Sequence, residues 1–262
     1  MVLEQFRIDD QVAIVTGAGR GIGAATAVAL AEAGADVVLG ARTAEQLDDV
    51  AAQVADQGRR AVVVAGDLSH REAMIALVEA ATGELGGLDI VVNNVGGSMP
   101  QPLMETSERA FRHALTFNVT TAFNLTQEAV PVMIERGGGS IVNIASTAGL
   151  FAMRGFAAYG TAKAALIHLT KELAQDLAPT IRVNAVCPGA IATSALDMVL
   201  ADDDLERAMV AGTPLGRLGE PWEIAAAVLY FASPAGAYAT GQALAVSGGI
   251  QGSNLEMGIP DL

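Results

Sequence analysis

Seven short runs of almost unbroken Val, Ile, Leu and Ala punctuate this chain, with segments of helical length between them. The runs are VAIVT (12–16), DVVLG (36–40), AVVVA (61–65), DIVVN (89–93), SIVNIA (140–145), IRVNAVC (181–187) and ALAVSG (243–248). A strand with one wet face alternates apolar and polar residues. These runs do not, so both of their faces have to be covered. The helical stretches between them span about 22–34, 43–57, 69–84, 107–135, 158–178 and 221–232. Such alternation predicts parallel strands joined by right-handed crossovers. The fold class is therefore α/β, a doubly wound parallel sheet of about seven strands flanked by helices. No linker or repeat divides it, so residues 1–262 read as one domain. One stretch breaks the rhythm. Residues 194–213 carry helix-like sequence with no strand until 243, which reads equally as a surface helix pair or as a small lid over a site, and 250–262 form a C-terminal tail.

Composition narrows the partners. An apolar fraction of 52% with 17% charged residues describes a globular chain, and 15 basic against 29 acidic residues give a net charge of −14. That field repels nucleic acid and an anionic membrane surface. No apolar stretch reaches membrane-spanning length, and the N-terminus lacks the basic start and apolar run of a signal peptide, so the expected location is the cytoplasm. Cys187 is the only cysteine and lies in an apolar run, where it reads as a small buried hydrophobe. His70, His113 and His168 are scattered, and no metal site is expected.

TGAGRGIG (16–23) follows the first strand and opens the first helix. Gly17, Gly21 and Gly23 would let the backbone turn tightly beside a pyrophosphate, whose charge suits a helix N-terminus. At the end of the second strand the acidic residue that would hold a ribose is missing. Gly40 and Ala41 stand there, followed by Arg42, and Arg20 lies within the glycine loop. Two guanidinium forks and no carboxylate favour NADP(H), with NAD(H) the other possibility. Asp67, after the third strand, could accept from an adenine amino group or cap the next helix. Asn93 and Asn94, in NNVGG, could hold backbone near the adenosine or shape a turn.

In AAYGTAKAAL (157–166), Tyr159 and Lys163 stand one helical turn apart. On the pair alone, packing and solvation explain them better than proton chemistry does. TGAGRGIG, NNVG, Asn118, Ser146, YGTAK and PGAIAT, in this order and spacing, resemble the NAD(P)-dependent short-chain dehydrogenase/reductase family from Val12 to about Gly249. The resemblance implies a Rossmann-type fold and a catalytic set of Asn118, Ser146, Tyr159 and Lys163. Tyr159 would pass a proton to a carbonyl oxygen, with its pKa lowered by Lys163 and the nicotinamide. Lys163 would also hold the nicotinamide ribose, Ser146 the substrate oxygen, and Asn118, within a long helix, a water chain. It further implies cofactor contacts at Gly17, Arg20, Gly21, Ile22, Gly23, Arg42, Asp67, Leu68, Asn94, Gly96, Tyr159, Lys163, Pro188, Gly189, Ile191 and Thr193. Val95 and Ser247 depart from residues that many relatives carry.

The implied activity interconverts a secondary alcohol and a ketone, and family members commonly form homotetramers. Met99, Leu150, Phe151, Met153, Phe156, Leu196 and Met198 would line an apolar mouth, which favours a steroid-like or lipid-derived small molecule. Reduction of a 3-oxoacyl group on acyl carrier protein is the alternative. A cofactor sensor without catalysis is a third reading, opposed by the complete catalytic set. A Ser/His/Asp hydrolase fails for want of a G-x-S-x-G elbow.

Overall fold

The computed structural model describes residues 1–255 and all their side chains except that of Met198. All seven apolar runs are strands of one parallel sheet: β1 (Val12–Thr16), β2 (Asp36–Ala41), β3 (Ala61–Ala65), β4 (Ile90–Asn93), β5 (Gly139–Ile144), β6 (Ile181–Pro188) and β7 (Ala243–Val246). Their order is β3-β2-β1-β4-β5-β6-β7. β1 pairs with β2 on one side, Thr16 opposite Gly40, and with β4 on the other, Val15 opposite Val92. The chain changes direction across the sheet between β1 and β4. In a doubly wound sheet the crevice at such a switch point, outside the strands' carboxyl ends, is where a ligand enters.

Helices α1 (Gly21–Glu32), α2 (Ala44–Asp56), α3 (Arg71–Ala80), α4 (Glu108–Leu115), α5 (Thr121–Glu135) and α6 (Ala157–Leu177) follow the first five strands. The short α7 (Asp197–Leu200) and α8 (Asp203–Ala211) fill the anomalous segment, and α9 (Pro221–Ala232) precedes β7. Leu30 of α1, Leu47 and Val50 of α2 and Val228 of α9 bury one face of the sheet. Met74 and Leu77 of α3, Leu125 and Met133 of α5 and Ala174 of α6 bury the other. Each of the Leu, Val and Met side chains contributes about 1.5–3 kcal/mol of burial, and only the edge strands β3 and β7 stay half-exposed.

The predicted helix over 107–135 is not continuous. A π-turn, Thr116–Thr120, separates α4 from α5, and Asn118 sits inside it. A second π-turn, Ala81–Leu85, ends the helix predicted to run to 84. Two side chains cover carbonyls around the first interruption. Asn118 Nδ2 donates to Ala114 O at 2.8 Å, and Thr121 Oγ1 donates to Phe117 O at 3.0 Å. Residues 256–262 of the predicted tail lie outside the described residues.

Candidate active site

The glycine loop comes first along the chain. Gly17 has φ of +65°, and a Cβ on Gly23 would come within 2.1 Å of Gly17 O, so neither position takes a side chain. Asn94 Nδ2 donates to Thr16 O at 2.9 Å and to Gly17 O at 3.2 Å, tying the loop to the end of β4. Thr16 Oγ1 accepts from Asn94 N and Val95 N. Of the two roles open to Asn94, holding backbone is the one observed. Arg20 is the N-cap of α1 but caps nothing with its side chain, which leaves the N–H groups of the first turn facing outward. That is the donor set an anionic pyrophosphate needs, so the loop fits a dinucleotide. Thr193 closes over it: a Cβ on Gly21 would stand 3.1 Å from Thr193 Cγ2.

Beyond the loop, Arg20 and Arg42 are both exposed, and neither forms an ion pair among the described residues. Asp67 Oδ1 accepts from Ser69 N and Oγ at 2.9 and 2.8 Å, while His70 is the N-cap of α3. Asp67 thus makes a turn before the helix rather than capping it, and its exposed carboxylate is held below the usual range by those bonds. Leu68 is buried. Pro188 ends β6, and the segment after it is anchored by Ala192 N to Gly219 O at 2.8 Å.

The four residues implied for catalysis lie on three elements. Ser146 ends the β5 excursion and starts a 3-10 turn, Thr147–Gly149, with its Oγ accepting from Ala148 N at 3.1 Å. Tyr159 and Lys163 lie on the first turns of α6, with Lys163 Nζ 5.7 Å from the Tyr159 ring centroid. Lys163 is 2% exposed and donates to Ile144 O at 2.8 Å. Burial pushes its pKa down to about 8, the Cys187 sulfur pulling the other way. Cys187 is itself buried, and its pKa is pushed up to about 11. Burial also raises the Tyr159 phenol, opposed by a hydrogen bond with Ser146. In the protein alone, then, desolvation outweighs any lowering by Lys163, and Ser146 is the partner that favours the phenolate.

Asn118 is wholly buried. Its Oδ1 accepts from Gly97 N at 2.9 Å, and Nδ2 donates to Gly97 O at 3.1 Å as well as to Ala114 O. The amide is a clamp between the π-turn and the loop after β4, with both Nδ2 donors spent on backbone carbonyls. A Cβ on Gly96 would stand 2.6 Å from Asn118 Oδ1 and 2.7 Å from Lys163 Nζ.

Sequence reasoning missed Asn143 and Thr170. Asn93 Nδ2 donates to Asn143 Oδ1, and Asn143 Nδ2 to Thr170 Oγ1, both at 2.9 Å. This buried chain ties β4 and β5 to α6. Its signal was an asparagine inside the apolar run SIVNIA, where only a paired amide is tolerated.

The chain is similar to known proteins along most or all of its length. A family model described as enoyl-(acyl carrier protein) reductase matches residues 17–251. An oxidoreductase of Mycobacterium tuberculosis described as uncharacterized is 56% identical over 263 residues, spanning 100% of both chains. A solved 7α-hydroxysteroid dehydrogenase, complexed with NADH and 7-oxo glycochenodeoxycholic acid, superposes with a TM-score of 0.91 at 39% identity, covering 95% of this chain and 98% of that one. A gluconate 5-dehydrogenase from Burkholderia cenocepacia, in complex with NADP and tartrate, gives 0.89 at 33% identity, covering 95% and 98%.

Proposed function

The chain belongs to the short-chain dehydrogenase/reductase family and is an oxidoreductase acting on CH–OH groups with NAD or NADP, and from that premise we propose that it interconverts a secondary alcohol and a ketone on a bulky apolar substrate, preferring NADP(H). The observation that carries the chemistry is the corner where Ser146 hydrogen-bonds Tyr159 one turn from a buried Lys163.

When bound, the nicotinamide cofactor supplies or takes the hydride. Tyr159 gives its hydroxyl proton to the carbonyl oxygen as the alcohol forms and recovers one in reverse. Ser146 Oγ hydrogen-bonds that oxygen and steadies the phenolate left behind. Lys163 holds the nicotinamide ribose, and Asn118 acts through the backbone it clamps. The outward N–H groups of Gly21, Ile22 and Gly23, with Gly17 and Arg20, hold the pyrophosphate. Asp67 and the Leu68 backbone meet the adenine, Asn94 and Gly96 flank the adenosine side, and Pro188, Gly189, Ile191 and Thr193 hold the nicotinamide. The exposed Arg20 and Arg42 are the support for a 2′-phosphate, since a fork-shaped donor suits that anion and Asp67 acts on Arg42 only through its field, without an ion pair.

Support for an apolar substrate comes from the mouth. Met99 is 65% and Leu150 38% exposed, Phe151, Met153 and Phe156 are half-buried just after Leu150, and Leu196 is half-buried in the 194–213 segment. Met198, also expected there, has no described side chain. Residues 194–213 would cover this mouth as a lid. An acidic carrier protein is opposed by the net charge of −14. Exposed Phe123 and Ile134 on α5 support a homotetramer, which light scattering would test. No helix among the described residues is long and apolar enough to cross a membrane, and we expect the enzyme in the cytoplasm.

Tyr159→Phe tests the reading. Turnover of an apolar ketone should fall by about 10²–10⁴-fold while NADPH still binds, as followed by nicotinamide fluorescence. A variant that kept full turnover would remove Tyr159 from the chemistry.

A further inference from the structure

The turn that follows Ser146 lies unusually close to the helix that carries Tyr159 and Lys163, and two glycines make the approach possible. A Cβ on Gly149 would stand 2.6 Å from the carbonyl carbon of Lys163, 2.8 Å from Ala164 N and 2.9 Å from Lys163 O. All three are backbone atoms of α6, which cannot swing aside as a side chain can. From the other side, a Cβ on Gly160 would stand 2.9 Å from Ala148 O. Gly160 sits in the first turn of α6, one residue after Tyr159, in a stretch otherwise rich in alanine. Alanine is the stronger helix former, so local propensity argues against a glycine at this position. Packing is the remaining reason for it. Gly149 belongs to the three-residue turn Thr147–Gly149 that Ser146 itself caps, so the turn cannot lift without carrying Ser146 with it.

We infer that Gly149 and Gly160 are positioning residues, whose missing side chains seat the Ser146-bearing turn flush on α6 and thereby set the hydrogen bond between Ser146 and Tyr159. Neither touches a substrate or cofactor; both act through Ser146. The inference rests on the dehydrogenase reading of this corner and adds to it the device that fixes its spacing.

Ionisation of Tyr159 reads that spacing without any substrate. It is measured as the near-ultraviolet phenolate absorbance of each protein minus that of the same protein carrying Tyr159→Phe. Ser146 favours the phenolate, so a turn wedged off the helix raises the midpoint. Gly149→Ala should move it upward by about half to one pH unit. Gly160→Ala, which meets a single carbonyl oxygen, should move it by less in the same direction. Gly83→Ala, whose Cβ would meet nothing within 4 Å, should leave it in place. Turnover of 2-decalone with NADPH should fall by about 10²-fold in Gly149→Ala with the KM for NADPH unchanged.

If both glycine variants fold, by circular dichroism, and neither moves the midpoint upward, the inference is overturned. Should Gly149→Ala fail to fold, Gly160→Ala decides alone. Full turnover in Tyr159→Phe would instead sink the dehydrogenase reading, an outcome the midpoint measurement does not depend on.

Discussion

The two ends of the crevice are built on opposite plans. At the Tyr159 end, Asn118 and Lys163 are buried, the Asn118 amide is spent on three backbone groups, and Lys163 is held by Ile144 O. At the β2 end, Arg20 and Arg42 stand in water with no ion pair among the described residues. Groups that handle a proton need a fixed position and a tuned pKa, and burial supplies both. Groups that recognise an anion gain from staying hydrated until the anion arrives, because their charge then costs nothing to maintain. The difference predicts where substitutions act: at the buried end on turnover and pH dependence, at the exposed end on ligand choice alone.

The hardest strain on that contrast is Gly96→Ala. The new methyl would meet Asn118 Oδ1 at 2.6 Å and Lys163 Nζ at 2.7 Å, so the functional ammonium has to move. We expect turnover to fall by about 10²-fold, as for a misplacement of an ångström, with a stability loss of about 1–3 kcal/mol from overpacking. Steady-state kinetics beside urea unfolding separate the two. A variant that loses stability but keeps its turnover would mean that Lys163 need not sit where it does.

Lys163 also gives the buried end a signature in stability against pH. Its pKa falls from 10.5 to about 8 on folding, so between those values the folded chain has released a proton that the unfolded chain still holds. Stability therefore rises with pH across that window. Cys187, pushed up from 9.0 to about 11, works in the opposite sense from about 9, and Tyr159, whose folded pKa is also raised, does so above 10, which confines the rise to the interval from about 8 to 9. Lys163→Met should abolish the rise and stabilise the protein near neutrality by up to about 3 kcal/mol, because the cost of burying the charge is gone. Urea midpoints at neutral and mildly alkaline pH check both statements. Parallel pH dependence in the two proteins would show that Lys163 is better solvated than its 2% exposure implies.

How much of this was legible beforehand divides along the same line. The unbroken apolar runs located all seven strands to within two residues. The inner strands are covered as that pattern requires, whereas the edge strands β3 and β7 are half-exposed despite it, Leu244 at 41%. The Tyr159–Lys163 spacing placed the pair on one helix face. Contacts between elements distant in sequence were not legible. Nothing in FNVTT announces a π-turn, because the interruption is stabilised by side-chain bonds from Asn118 and Thr121 to carbonyls of the preceding turn. The pairing of Asn143 with Asn93 and Thr170 depends on strand order. Burial, which raises the Tyr159 pKa in the protein alone, is a property of the packed corner rather than of the helix, so the Tyr159–Lys163 spacing could not reveal it.

Ala41→Asp makes the smallest change and tests the exposed end. Ala41 ends β2, half-buried, just before Arg42. A carboxylate there would accept from ribose hydroxyls, repel a 2′-phosphate and offer Arg42 a partner. The expected result is a shift of about 10- to 100-fold in the ratio of kcat/KM for NADPH to that for NADH, worth about 1.4–3 kcal/mol, with the melting temperature and the Tyr159 midpoint unmoved. An unchanged ratio would mean that the two arginines recognise nothing at that position. A shifted Tyr159 midpoint would be the more damaging outcome, because it would couple the two ends of the crevice through a sheet whose intervening strands, β1 and β4, have no exposed residue to carry the effect.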